Sequence, residues 1–135
     1  GIMVLFRDTI ELETNRGMSF VDIPDKGVKL VYDCKIEEGI CNIFLPGTTA
    51  GIMVNENDRM LMEDFKRFFH TIDEKKLYSH PSNAFSHLRA NLARAELTIP
   101  VSKRKLLLGK WQSILLWEFD VDSRKRELII SVVGD

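Results

Sequence analysis

Cysteine is scarce in this chain. Cys34 and Cys41 are the only thiols in 135 residues and have no CxxC spacing, which excludes a disulfide-stapled scaffold and leaves two reduced, buried thiols, as in an intracellular protein. Long apolar runs are missing too. The opening GIMVLFRDTIELE has no basic flank and is broken by Asp8 and Glu11, well short of the ~20 apolar residues that span a bilayer. Neither a signal segment nor a membrane helix is expected there, and the cytoplasm is the default location. Neither sign of charge dominates: 19 basic and 20 acidic residues give a formal net charge of −1, so neither nucleic acid nor an anionic membrane is expected as a partner. The basic triplets Lys103-Arg104-Lys105 and Arg124-Lys125-Arg126 sit between apolar runs and predict solvated hairpin turns rather than an aromatic-interleaved patch.

Linkers and repeats are absent as well. With 44% hydrophobic residues over 135 positions, the chain can bury a core of its own, and residues 1–135 are expected to form a single domain. Segments 2–14, 40–46, 96–101, 106–119 and 127–133 are rich in Ile, Leu, Val, Phe, Trp and Thr and predict strands. In GKWQSILLWEF, alternation puts Trp111, Ser113, Leu115, Trp117 and Phe119 on one face and Gln112, Ile114, Leu116 and Glu118 on the other. Both faces are largely apolar, which predicts a strand covered on two sides with both tryptophans in the core.

Two segments predict helices. After Asn57 as N-cap, Leu61, Phe65, Phe68 and Ile72 recur at helical spacing as a buried stripe, and His70 ends the segment, where it complements the helix dipole and is given no chemistry. From Asn83, the residues Ala84, Leu88, Leu92 and Ala95 trace a second apolar stripe, with Asn83, His87 and Asn91 as a polar one beside it. Residues 24–37 fit both an alternating strand through Val28, Leu30, Tyr32, Cys34 and Ile36 and a helix begun by Pro24.

The motifs are more specific than the periodicities. TTAGIMVNEN, a Phe-rich helix, SHPSNAFSHLRANL, ELTIPV, LLLGKWQSILLWEF and IISVVGD follow one another from about Ile10 to Gly134. In this order and spacing they resemble the YjbQ family, also called secondary thiamine-phosphate synthase-type. The resemblance implies an α+β domain, a mixed β-sheet packed with helices, assembled as a homotrimer, and reads 24–37 as helix. It further implies a weak transferase activity joining a pyrimidine pyrophosphate to a thiazole phosphate.

The family's polar cluster maps here onto Glu56, His80 and His87, with Thr48, Thr49, Asn55 and Asn83 as neighbours. Two imidazoles and a carboxylate suit a divalent ion, zinc or magnesium, so these three are the expected catalytic residues and metal ligands. One family histidine is missing, its position taken by Gly47. From the residues alone, His87 reads instead as a hydrogen bonder at the core edge and His80 as an exposed loop residue before Pro81, since the spacing of the pair matches no strict metal signature. Gly47 and Gly51 with the hydroxyls of Thr48 and Thr49 make PGTTAG a candidate phosphate loop, though no Walker-type lysine follows. Gln112, on the face shared with Glu118, is added as a substrate-binding residue. Two functions remain open: an enzyme using this pocket for pyrophosphate displacement, or a trimer whose pocket, short of one histidine, holds a phosphorylated metabolite or a protein partner without turnover.

Overall fold

The computed structural model describes residues 1–23 and 25–135, the side chains of 25–28 excepted. Among the described residues, eight strands and three helices follow in the order β1 (Val4–Glu13), β2 (Ser19–Asp22), α1 (Asp25–Asp33), β3 (Glu38–Phe44), β4 (Ala50–Asn55), α2 (Arg59–His70), α3 (Ala84–Leu92), β5 (Glu96–Ser102), β6 (Lys105–Leu106), β7 (Ser113–Glu118) and β8 (Lys125–Gly134). The α+β class holds. The strands sort into two antiparallel sheets rather than one mixed sheet: β1-β8-β3-β5-β6 and β2-β7-β4. Among the described residues no helix is long and apolar enough to cross a membrane.

β7 is the hinge of the architecture. Its alternation sends Ile114 and Leu116 toward the five-stranded sheet, where they meet Ile43, Leu128, Ile130 and Val132, and sends Leu115 and Trp117 toward Met62 and Phe69 of α2 and Ala90 of α3. Two cores therefore lie on the two sides of one strand, in three layers: large sheet, small sheet, helix pair. The two-sided burial predicted for this strand is what the structure has.

Its predicted length is not. The run 106–119 breaks at Gly109, where the Gln112 side chain accepts from the Gly109 N–H at 2.7 Å, and the apolar letters before it belong to the two-residue β6 and a turn. Trp111 is 65% exposed, whereas Trp117 is fully buried. Pairing partners decide this: β7 has a neighbour on each side, and residues 107–112 find no ladder among the described residues.

The helical stripes shift also. Asp58, not Asn57, caps α2, its carboxylate accepting from the Leu61 N–H at 2.9 Å, while the Asn57 amide donates to Asp22. The buried positions of α2 are Met62 and Phe69, and Phe68 is exposed. In α3 the buried residues are Ala84, Ser86, Arg89 and Ala90, with Leu88 and Leu92 about half exposed. α3 packs on β4 so closely that only small residues fit, and Arg89 enters the interior because the Phe69 and Ile72 carbonyls and the Glu74 carboxylate accept its hydrogen bonds. Segment 25–33 is helical, as the resemblance implies, but the helix stops at Asp33, short of the expected 37, where Cys34 turns and Lys35 takes a positive φ; the expected start at Pro24 and the side chain of Val28 lie outside the described residues. Cys41 is buried and Cys34 partly so, both as free thiols.

Of the two basic triplets, the first is a hairpin turn, with Lys103 and Arg104 at positive φ between β5 and β6. The second is not a hairpin turn, since it joins strands of different sheets, and only Arg124 and Lys125 of it are exposed. Arg126 stands in β8 on the face of Leu128, Ile130 and Val132 and is only 8% exposed.

Candidate functional site

Gly51 determines where α3 sits. A Cβ there would lie 2.5 Å from the Ala93 Cβ and 2.9 Å from the Ala90 carbonyl oxygen, so only glycine lets the helix rest directly on β4. That close approach brings His87 over the turn that leads into β4, where its Nδ1 lies 3.0 Å from the Thr48 carbonyl oxygen. A carbonyl only accepts, so Nδ1 carries a proton, and of the two neutral tautomers this contact selects the one whose Nε2 has a free lone pair. His80 stands beside it, the ring centroids 5.2 Å apart. An open pocket of about 420 Å³ follows, lined among others by Gly47, Thr48, His87, Asn91 and Arg94. No ion pair or side-chain hydrogen bond of Arg94 is found among the described residues.

Beneath this pocket lies a buried charged network. The Arg126 guanidinium donates through Nε and Nη2 to the two oxygens of Glu118, and Nη2 also donates to the Thr49 hydroxyl at 2.8 Å. Thr49 donates in turn to Asp120 at 2.9 Å, and Thr14 donates to Glu118 at 2.6 Å. Burial works to raise the Asp120 carboxyl, but the Asp122 backbone N–H, the Thr49 hydroxyl and the Arg124 guanidinium favour its ionised form and hold it below the ordinary carboxylate value. Two cations and two carboxylates thus neutralise each other where the two sheets meet. Thr49, expected to offer a hydroxyl to substrate, has its hydroxyl engaged on both sides in this network.

The remaining expected residues divide between places. Thr48, His80 and His87 come together. Asn83 caps α3 through its backbone, its carbonyl accepting from the Ser86 N–H at 3.0 Å, with no capping bond from its side chain. Asn55 and Gln112 line a second cleft of about 620 Å³ between α2, the end of β4 and β5. Glu56 follows β4 at the end away from Thr48, and five strand steps of about 3.3 Å put roughly 17 Å between Ala50 and Asn55. Among the described residues no three His, Cys, Asp or Glu side chains converge as a metal would need. One chain supplies a pair of imidazoles without the Glu56 carboxylate, which does not fit a complete zinc or magnesium site.

Sequence reasoning missed Arg94, Glu118, Asp120 and Arg126. For Arg126 a signal was present: it shares the parity of Leu128, Ile130 and Val132, and a charge on the apolar face of a strand marks a buried ion pair. For Arg94, no periodicity distinguishes it from any solvated arginine.

Comparison with known proteins agrees with this fold and its motifs. The sequence profile described as UPF0047 protein YjbQ-like matches residues 8–135. The UPF0047 protein of Methanocaldococcus jannaschii is 34% identical over 137 aligned positions, covering 99% of this chain and 97% of its own. A crystal structure of a YbjQ-like protein of unknown function from Sulfolobus solfataricus superimposes with a TM-score of 0.93 at 34% identity, covering 99% of this chain and 100% of its own. A hypothetical protein from Aeropyrum pernix superimposes with a TM-score of 0.89 at 28% identity, covering 96% and 99%. With the profile match beginning at residue 8 and running to the last residue, and a relative a third identical along nearly its whole length, the chain belongs to the YjbQ-like UPF0047 family.

Proposed function

We propose that this protein binds a phosphorylated small molecule in the pocket lined by Thr48, His87 and Arg94, with His80 beside His87, and that the chemistry served there is displacement of a pyrophosphate of the thiamine-phosphate synthase type. The observation that carries this reading is the hydrogen bond from His87 Nδ1 to the Thr48 carbonyl, which fixes the tautomer and aims Nε2 as an acceptor or, once protonated, as a charged donor to a phosphoryl oxygen. Arg94 adds a cation at the same opening, with no side-chain partner among the described residues. In such a reaction the thiazole nitrogen attacks the pyrimidine methylene, the carbon–oxygen bond to pyrophosphate breaks, and the leaving group departs with the bonding pair. The protein then has charge to stabilise and two substrates to align.

A second reading, retention of a phosphorylated ligand without turnover, is favoured by Gly47, since the imidazole that the family places there is missing. In either reading the assembly is a homotrimer. This is supported by the uncovered outer face of the five-stranded sheet, where Leu5, Ile40, Phe44 and Val133 are all more than 40% exposed, an apolar surface of the kind that a second copy covers.

Calorimetric titration with inorganic pyrophosphate and with thiazole phosphate, on wild type and His87→Ala, tests the pocket. Binding lost in the variant with an unchanged melt is expected. Equal binding by both proteins would remove His87 from the site, and a steady-state assay with both substrates separates turnover from retention. Light scattering should give about three chain masses, and a monomer at micromolar concentration rules out the trimer.

A further inference from the structure

Arg126 uses only part of its donor capacity inside the protein. Its side chain is 9% exposed; Nε and Nη2 are engaged by Glu118 and Thr49, and no hydrogen bond of Nη1 is found among the described residues. Nη1 is nevertheless not sealed in. The one sealed side-chain nitrogen or oxygen without a partner among the described residues is Trp117 Nε1, so Nη1 keeps contact with solvent.

Its direction is set by Gly47. A Cβ built on that glycine would stand 2.8 Å from Nη1, and the glycine has φ +122°, a conformation that L side chains rarely adopt. Gly47 therefore leaves open the space that a side chain would fill, and the guanidinium borders it. The pair of bonds to Glu118 holds the planar fork in one orientation, so Nη1 is aligned before any ligand arrives.

We propose that Arg126 Nη1 anchors an oxyanion, a phosphoryl or carboxylate oxygen, in the space over Gly47. The inference rests on the reading of the adjoining pocket as a ligand site. It adds a contact group that sequence reasoning places in a solvated turn. The charge balance favours it: the buried Glu118, Asp120 and Arg126 together with the half-exposed Arg124 are formally neutral, and Arg94 leaves the opening one charge positive.

The test uses the intact protein with inorganic pyrophosphate and, separately, malonate. Arg126→Lys keeps the charge, but one ammonium cannot both replace the fork on Glu118 and reach the oxyanion, so affinity for the preferred anion should fall by about tenfold or more. In wild type with ¹⁵N-labelled arginine, the Arg126 side-chain resonances should move as that anion is added. This second measurement decides alone if the variant does not fold. Preference for pyrophosphate identifies a phosphoryl ligand and preference for malonate a carboxylate, and either supports the anchor. Loss of binding in His87→Ala, with Arg126→Lys within about twofold of wild type and the Arg126 resonances unmoved, overturns the anchor and leaves the pocket standing. No binding of either anion by wild type overturns both.

Discussion

Arg126 of β8 and Glu118 of β7 are joined by two hydrogen bonds, and because these strands lie in different sheets, the pair fastens one sheet to the other. Both side chains are buried. Removing one partner leaves the other charge uncompensated, so Glu118→Ala should lose roughly 3–5 kcal/mol of unfolding free energy, and Glu118→Gln, which keeps an acceptor, less. Urea unfolding measures both. A loss below about 1 kcal/mol for the alanine variant, as for a surface pair, would contradict this role.

Asp120 should make stability depend on acid pH. Its folded value lies below the ordinary carboxylate value, and its unfolded value is about 3.9. Between the two, the unfolded chain binds more protons, so the contribution is complete above about 3.9 and is lost as pH falls through the lower folded value. Urea midpoints followed from neutral pH downward should fall more steeply for wild type than for Asp120→Asn. Parallel curves would show that Asp120 is not linked to folding.

Cys41 should be inert. Burial, with Cys34 nearby, pushes its thiol up to about 12, so at pH 8 the folded protein should present essentially no Cys41 thiolate to an aromatic disulfide reagent, while denaturant exposes it. Because the unfolded thiol ionises near 8.5, this contribution is intact below that pH and is lost as pH rises through the folded value. Rapid labelling of Cys41 in a Cys34→Ser background, without denaturant, would count against the buried placement.

Gly47→His should not rebuild a metal site. With φ +122° and Arg126 Nη1 at 2.8 Å from the new Cβ, the substitution should cost roughly 1–3 kcal/mol. It adds an imidazole at the His80–His87 end of β4, while Glu56 follows the other end. The expected result is a lower melting temperature and zinc affinity no tighter than wild type in a competitive titration. A well-folded variant with tighter zinc binding would show that position 47 and the two histidines share a coordination sphere.

The sequence by itself determined those features that depend on local patterns. Alternation through Ile114–Glu118 required a strand buried on both faces, and that strand separates the two cores. The ordered motifs from TTAG to IISVVGD carried the family, and the seven-residue spacing of His80 and His87 raised the pair that the structure then brings to 5.2 Å. What the tertiary structure decided are the relations between segments distant in the chain. Which apolar residues of α3 are buried depends on how near β4 lies, and Gly51 allows a contact that excludes leucine and admits Ala90 and Ala93. Whether Trp111 is core depends on whether its segment finds a pairing partner, and among the described residues it does not. Glu56 and Thr48 are eight positions apart and read together as one motif, yet an extended strand between them carries the two to opposite ends. Arg126 reads as one of three basic residues in a turn until Glu118, Thr49 and Gly47 are placed around it. Periodicity reports which way a side chain faces, but a charge is buried or solvated according to the partners that folding supplies.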